Sequence, residues 1–361
     1  MGRADVSSRR TSRVAGRHRP ATGARLSSAI VAVTRDDVAR AAGVSTAVVS
    51  YVLNDGPRGV SVESRQRVLA AIRELGYRRD GVARFLRLGR TQSLGLVLPD
   101  PALPYFAEFT KHLMAAAGNA DRQTLLACSE WDPQRERALI GELVERRVEG
   151  IVLLSADPSQ DFADLDVSGV PIVVVDRPEV ARRGAYAAIA HFVEHGHSAL
   201  GLLAGPADLE ASRRRTVAWR TAVEDAGLPT RSEWVARVEV SRRGGYAGAR
   251  LLLDLDAPPS AVFIESDAQA QGFLRAAHER GLSVPRDCAV ITSEGTEQAL
   301  FSVPSLTSVE QPTGEIARSA LALVLEDSGA GVRWMSDEQF TLVRRGSCGC
   351  PEPVIGPVAP A

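Results

Sequence analysis

The chain has 361 residues, of which 45% are hydrophobic and 24% are charged, enough for two or three globular units with more than one core. No apolar run reaches the roughly 20 residues that cross a bilayer, and residues 1–30 lack the apolar core of a secretory signal. We therefore expect no membrane partner. Four cysteines are too few for a disulfide framework, which favours a protein of the reducing cytoplasm.

The net charge of −1 hides a strong asymmetry along the chain. Residues 1–90 hold 18 Arg against 7 acidic residues, whereas the remainder holds 25 Lys and Arg against 37 acidic residues. A basic front end on an acidic body indicates a head that binds a polyanion. Residues 1–30 are polar, Arg-rich and without periodicity, which predicts a disordered basic tail.

Residues 31–78 predict a helix-turn-helix domain. Apolar residues recur at helical spacing before Gly43, and Gly43–Ser45 is suited to a tight turn that ends one helix and caps the next. A third helix is predicted between a cap at Ser61 and a stop at Gly76. Three short helices with a three-residue turn between the first two are typical of DNA-binding heads.

Residues 79–91 predict a short linker with one or two helical turns, which needs a partner surface to become ordered. Residues 92–346 alternate short apolar runs with amphipathic helices, which predicts parallel strands covered on both faces. This length favours two doubly wound lobes, with ligands bound beyond the carboxyl ends of the strands. Residues 347–361 are interpreted as a flexible tail.

Several segments carry a resemblance to a known family in the expected order: Val38–Ser45, Val49–Asn54, Arg67–Tyr77, Gly89–Thr91, Arg146–Ile151, Gly205–Pro206 and Gln311–Pro312. The chain resembles the LacI/GalR transcriptional regulators. The resemblance implies an all-α helix-turn-helix DNA-binding head, a hinge helix and an α/β periplasmic-binding-protein-like core of two lobes. It also implies a homodimeric, nucleoid-associated regulator, most simply a repressor, that binds double-stranded DNA at a pseudo-palindromic operator.

The resemblance places ten residues at the DNA. Base-edge contacts are expected from the first residues of the second helix, namely Thr46, Ala47, Ser50 and Tyr51. Phosphate contacts are expected from Thr34, Ser45, Asn54 and Arg58. In the family a hinge leucine enters the minor groove, and Leu86 matches it, with Ala83 one turn before. Many relatives have Arg or His where Tyr51 stands, so we expect a different outer half-site.

The resemblance also places eight residues at a small-molecule effector between the lobes: Asp100, Tyr105, Phe106, Asp176, Arg215, Ser266, Asp267 and Glu294. The expected effector is a carbohydrate or related metabolite, sugar-like or nucleoside-like. Ser266 and Glu294 stand where the family usually has Asn and Asp. These departures leave open a ligand-independent or protein-partner-controlled regulator with a degenerate cleft.

Two further patterns are assigned no chemistry. His191, His195 and His197 suggest a metal cluster, but no carboxylate follows at matching spacing, so satisfied surface histidines are favoured. Cys348 and Cys350 lack a second pair for zinc and are assigned to tail composition. The sequence also has neither a Walker loop nor a nucleophile elbow. No metal, cofactor or enzymatic activity is therefore expected.

Overall fold

The computed structural model describes residues 33–54, 59–77, 91–162, 164–176, 178–326, 329, 331–335 and 339–352. The chain divides between Asp80 and Gly81 into two compact units, which are described separately. Among the described residues, no helix has the length and apolar character needed to span a membrane. The predicted basic tail lies outside the described residues, as do Arg58, Ala83 and Leu86.

The described residues of the smaller unit form three helices, whose bounds are α1 (Arg35–Ala42), α2 (Thr46–Asn54) and α3 (Val62–Leu75). Thr34 and Asp37 form a capping box at the start of α1, which satisfies backbone N–H groups that have no partner within the helix. Gly43 ends α1 with φ of 63°, a left-handed conformation that favours glycine. The predicted helix-turn-helix is therefore confirmed.

One small apolar core holds these three helices together. Val38 on α1, Val49 on α2 and Val68 on α3 are completely buried in it. Because each helix is too short to be stable alone, burial of this shared face supplies most of the stability of the head.

The larger unit contains two sheets, each of mainly parallel strands. Their strands are β1 (Ser93–Leu98), β2 (Gln123–Cys128), β3 (Gly150–Leu153), β4 (Pro171–Val175), β5 (Leu200–Ala204), β6 (Val235–Arg237), β7 (Ala261–Ile264), β8 (Ala289–Thr292), β9 (Thr307–Glu310), β10 (Gly331–Met335) and β11 (Thr341–Val343). The strand order is β10-β4-β3-β1-β2 in the first sheet and β11-β9-β8-β7-β5-β6 in the second. Only β11 pairs in antiparallel fashion within these described strands. Two doubly wound lobes, as predicted, are confirmed.

Helices cover both faces of each sheet. They are α4 (Pro104–Asn119), α5 (Pro133–Glu145), α6 (Pro178–Glu194), α7 (Glu210–Asp225), α8 (Arg242–Leu253), α9 (Asp267–Glu279), α10 (Glu297–Leu300) and α11 (Thr313–Leu325). Helices α4, α5 and α11 pack on the first sheet, and α6 to α9 pack on the second. Each lobe thereby buries two apolar clusters, one on each face of its sheet.

The described chain passes between the lobes three times. It leaves the first sheet after β4 to form α6, returns after β9 to form α11, and leaves again between β10 and β11. Chain crossings of this kind allow two lobes to change their relative angle with small backbone changes.

The expectation of a flexible tail from residue 347 is wrong for its first part. Ser347 is completely buried, and its hydroxyl accepts a hydrogen bond from Thr307 N and donates one to Val290 O. Glu352 accepts a hydrogen bond from the backbone N–H of Ser305. The second lobe therefore extends to at least Glu352, because these polar groups tie the segment to β8 and β9.

Candidate functional site

Helix α2 presents one face to solvent and the other to the core of the head. Thr46 and Ala47 are exposed and Ser50 and Tyr51 are half-buried, whereas Val49 is completely buried. At about 100° per residue, the four predicted base-contacting residues lie within about 140° of the helix circumference, opposite the buried valines. Their common orientation gives α2 a surface that can enter a major groove.

Two residues expected at phosphates serve as helix caps. The Thr34 hydroxyl accepts from Asp37 N at 3.3 Å and donates to Asp37 Oδ2 at 2.6 Å. Ser45 Oγ accepts from Val48 N at 3.4 Å. Each hydroxyl therefore has a structural role, which the sequence predicted for Ser45 but not for Thr34. The backbone of Asn54 ends α2, but its side chain is not among the described groups.

A cavity opens between the two sheets of the larger unit. Its wall is formed by the segments that follow the strands' carboxyl ends and by the first turns of α4, α6 and α7. Six of the eight predicted effector residues line it: Tyr105, Phe106, Asp176, Arg215, Ser266 and Glu294.

The other two predicted residues are not among the described residues that line the cavity. Asp100 Oδ1 accepts from Ala102 N at 2.8 Å and shapes the loop before α4. Asp267 is completely buried, and its Oδ2 accepts from the backbone N–H and hydroxyl of Thr296 at 2.6 and 2.7 Å. For Asp100 and Asp267, an effector contact therefore stays a prediction.

Glu265, which sequence reasoning missed, also lines the cavity. Together with Ser212 and Arg215 it forms the polar floor of the cavity. It is 3% exposed and directly follows β7. Its carboxylate accepts from Gly205 N at 2.5 Å and Ser212 Oγ at 2.8 Å, and it forms an ion pair with Arg215. Burial disfavours the charge on Arg215, but the neighbouring carboxylates of Glu265 and Glu294 outweigh that effect and raise its pKa. Its position directly after a buried strand was the available signal.

A second ion pair links the two lobes across the cavity. Arg214 on α7 lies 2.9 Å from Asp176 Oδ2, which follows β4 of the other lobe. Arg214 also pairs with Glu210 at 3.0 Å. Elsewhere, Glu108 on α4 accepts from Glu297 N at 2.6 Å, which joins the lobes a second time. Asp176 therefore bonds within the protein, and a ligand hydroxyl would share it with Arg214.

Glu294 is the most perturbed acid in the cavity. Burial, followed by the nearby charge of Asp267, raises its pKa to about 8. Its Oε2 accepts from Asp267 N at 2.9 Å. Its carboxyl is thus mainly protonated at neutral pH and can donate as well as accept a hydrogen bond.

Aromatic rings form the opposite wall. The rings of Tyr105 and Phe106 are 5.6 Å apart, and those of Phe106 and Trp131 are 5.8 Å apart, both edge to face. Trp131 was not predicted. Both it and Glu130 have positive φ, at 64° and 54°, a strained conformation that occurs at ligand-binding loops when the surrounding structure enforces it.

Comparison with known proteins agrees with both units. Residues 34–80 match the family described as bacterial regulatory proteins, lacI family, and residues 189–348 match the periplasmic binding protein-like domain. The HTH-type transcriptional repressor PurR of Pectobacterium carotovorum subsp. carotovorum (strain PC1) is 34% identical over 307 residues, covering 81% of this chain and 89% of that protein. The chain belongs to the LacI family.

Solved structures of LacI-family proteins share the fold. The Lac repressor dimer bound to operator and the anti-inducer ONPF has a TM-score of 0.74 at 24% identity, covering 88% of this chain and 99% of that chain. The complex of the transcriptional regulator CelR with cellobiose has a TM-score of 0.60 at 27% identity, covering 87% of this chain and 99% of that chain.

Within this LacI-family chain, Ser266 caps α9 by accepting a hydrogen bond from Gln269 N at 3.1 Å.

Proposed function

We propose that this chain is a homodimeric transcription regulator, most simply a repressor, whose operator affinity is changed by a neutral small molecule bound between its lobes. The observation that carries the proposal is a cavity that joins two lobes, in one chain with a helix-turn-helix head. Relatives that carry the name of a transcriptional repressor support it.

The DNA contacts follow from the outward face of α2. Thr46 and Ser50 supply single hydrogen bonds to base edges, Ala47 contacts a thymine methyl, and Tyr51 supplies a hydroxyl and a flat ring. Two heads related by a twofold axis read a pseudo-palindromic operator in the nucleoid. The phosphate contacts of Asn54 and Arg58, and the minor-groove insertion of Leu86 beside Ala83, remain part of this proposal by resemblance.

Charge balance in the cavity favours an uncharged effector. The cations Arg214 and Arg215 already have the carboxylates Asp176 and Glu265 as partners, and Glu294 is mainly protonated at neutral pH. A phosphate or carboxylate ligand would have to displace these internal anions, which costs the buried pairs their hydrogen bonds.

A polyol or a planar base can bind to the aromatic wall and the polar floor of the cavity without displacing these ion pairs. One face of such a ligand stacks on the aromatic wall, and its hydroxyl or amide groups reach the polar floor. Sugar-like and nucleoside-like effectors both meet these demands. The cellobiose complex of the structural relative is consistent with the sugar class.

The ligand acts through the lobes because it contacts both of them. Asp176 follows a strand of one lobe and Arg214 belongs to a helix of the other. A ligand that binds this pair better in one lobe arrangement than in another shifts the population toward that arrangement, by no more than its difference in affinity.

Selection of bound duplexes from a random pool tests the DNA proposal, with the α2 double variant Thr46→Ala/Ser50→Ala as the comparison. We expect one enriched inverted repeat for the native chain and its loss in the variant. Equal binding of all duplexes at physiological salt would contradict the proposal. It would indicate nonspecific attraction to phosphates, which does not distinguish one sequence from another.

Thermal shift against panels of neutral sugars, polyols, nucleobases and nucleosides tests the effector proposal. A binding compound should raise the melting temperature in proportion to the logarithm of its concentration and change operator affinity. Compounds that raise the melting temperature of the native chain should not raise that of the Arg214→Ala variant. If no compound stabilises the protein while operator selectivity persists, the ligand-independent alternative is correct.

A further inference from the structure

Four metal-binding side chains meet in the second lobe, outside the effector cavity. His191 lies in the last turn of α6 and His195 one turn further on, so both point the same way. Cys348 ends a short 3-10 helix (Gly346–Cys348), and Cys350 follows two residues later. Gly349 between them has φ of 94°, a turn conformation that favours glycine.

The structure corrects the interpretation as surface histidines and tail cysteines for His191 and Cys348, which are buried, whereas His195 is exposed, as expected of a surface histidine. His191 and Cys348 are each only 2% exposed. His191 Nε2 lies 3.2 Å from Cys348 Sγ, although the two residues are 157 positions apart in the sequence. Spacing along the chain could not reveal this proximity, because it depends on how the C-terminal segment packs against α6.

The distances fit one tetrahedral metal ion. Cys350 Sγ is 3.6 Å from the Nε2 atoms of both His191 and His195, and all four ligand atoms lie within 4.8 Å of one another. In a tetrahedron with Zn–S of about 2.3 Å and Zn–N of about 2.0–2.1 Å, neighbouring S and N ligands are separated by about 3.5 Å. The observed N···S separations bracket this value.

We propose that His191, His195, Cys348 and Cys350 bind one Zn²⁺ ion in a closed structural site. Two imidazoles and two thiolates form the His₂Cys₂ set that zinc prefers, and tetrahedral S₂N₂ geometry distinguishes zinc from metals that take oxygen ligands. Four protein ligands leave no open position for water or substrate, which makes the site structural.

The surroundings of the cluster provide the outer partners that such a site needs. Coordination through Nε2 puts the proton of His191 on Nδ1, which is buried and makes no hydrogen bond to the described groups. Glu194 Oε2 lies 3.5 Å from this nitrogen and is close enough to accept with a small side-chain adjustment. The Thr307 hydroxyl lies 2.9 Å from Cys348 Sγ and can donate to a thiolate.

The ion would fasten the end of the lobe to α6. Because its ligands come from distant parts of the sequence and meet only in the folded chain, the ion binds the folded state, and its binding free energy adds to the stability of that state. The opposite end of α6 lines the effector cavity, through Val180 and Ala181. Zinc would therefore stabilise the helix that forms one cavity wall, without contacting the effector.

Metal analysis of the full chain, purified without chelators from zinc-supplemented cells, tests this proposal. The variants Cys350→Ser and His195→Gln remove the two more accessible ligands, and Cys128→Ser and His278→Gln remove the same side-chain types outside the cluster. We expect about one zinc per chain in the native protein and both controls, and less than about a tenth in both cluster variants. A chelator should lower the melting temperature of the native chain but not of the cluster variants.

Cobalt substitution keeps the test independent of how well the variants fold. Co²⁺ bound by the native chain should show intense thiolate-to-cobalt absorption and tetrahedral visible bands, both abolished by stoichiometric Zn²⁺. Zinc contents that are equal in cluster and control variants would overturn the proposal, as would native protein without metal or with a Cys348–Cys350 disulfide. Cobalt spectra without thiolate bands would also overturn it.

Discussion

Glu265 and Arg215 form an ion pair on the floor of the interlobe cavity, and the Glu265 carboxylate also accepts two further hydrogen bonds. Gly205 N and Ser212 Oγ both donate to the same carboxylate, which is 3% exposed. The pair therefore connects the ends of β5 and β7 with α7. It fixes the orientation of a guanidinium whose side chain remains 37% exposed.

Replacement of Glu265 by Gln should weaken both stability and the effector response. Arg215 would lose its counter-charge, and because it is partly exposed we expect a loss of about 1–2 kcal/mol in the free energy of unfolding. Urea titration measures this loss. Asp254→Asn, which breaks an exposed pair with Arg280, should cost less than about 0.5 kcal/mol. Equal losses for the two variants would contradict a structural role for Glu265.

The raised pKa of Glu294 predicts a pH-dependent stability. In the unfolded chain this carboxyl ionises near its ordinary value, whereas in the folded chain its pKa is about 8. The folded state thus holds the proton more tightly, and stability is lost as pH rises from the ordinary carboxyl range through about 8. The Glu294→Gln variant should be as stable as the native chain at about pH 4–5, where a glutamate ordinarily titrates. It should be more stable than the native chain at about pH 9.

Melting temperatures recorded across that pH range check the Glu294 prediction. Glu315→Gln, which changes an exposed carboxylate, serves as the control and should follow the native profile. Parallel profiles for Glu294→Gln and the native chain would show that Glu294 ionises normally in the folded state.

Tyr51 should determine which base is preferred at one position of each half-site. Tyr51→Arg introduces a bidentate donor that favours guanine, with an expected discrimination of about 1–3 kcal/mol. Duplex selection with the variant reads the change directly. Gln66→Arg adds the same charge on an exposed position of α3 and should raise affinity without changing the selected base. The same consensus from both variants would argue against base contact by Tyr51.

Leu86 is assigned its minor-groove role by family resemblance. Leu86→Ala should reduce operator affinity sharply while leaving nonspecific DNA binding unchanged, because only the specific complex contains the inserted side chain. Titration of operator and random duplexes gives the specificity ratio. The control Leu69→Ala, which truncates a leucine that is 43% exposed on α3, should leave the specificity ratio unaltered. An unaltered ratio for Leu86→Ala would contradict insertion into the minor groove.

Local chemistry in the sequence was sufficient for the secondary structure and for the family. The cap at Thr34, the turn at Gly43 and the apolar spacing around Val49 act between residues a few positions apart, so a single sequence contains all that is needed to predict the head. The alternation of apolar strands and helices likewise predicted two doubly wound lobes. Tyr105 and Arg215 could be placed at the cavity because they match family positions.

Only the tertiary structure decided which polar side chains face one another. Asp267 accepts from the backbone N–H and the hydroxyl of Thr296, whereas Glu265, two positions earlier, pairs with Arg215, a choice made by competing hydrogen bonds between distant segments. His191 and Cys348 meet for the same reason. Such contacts depend on the packing of elements far apart in the chain, and short-range periodicity carries no information about them.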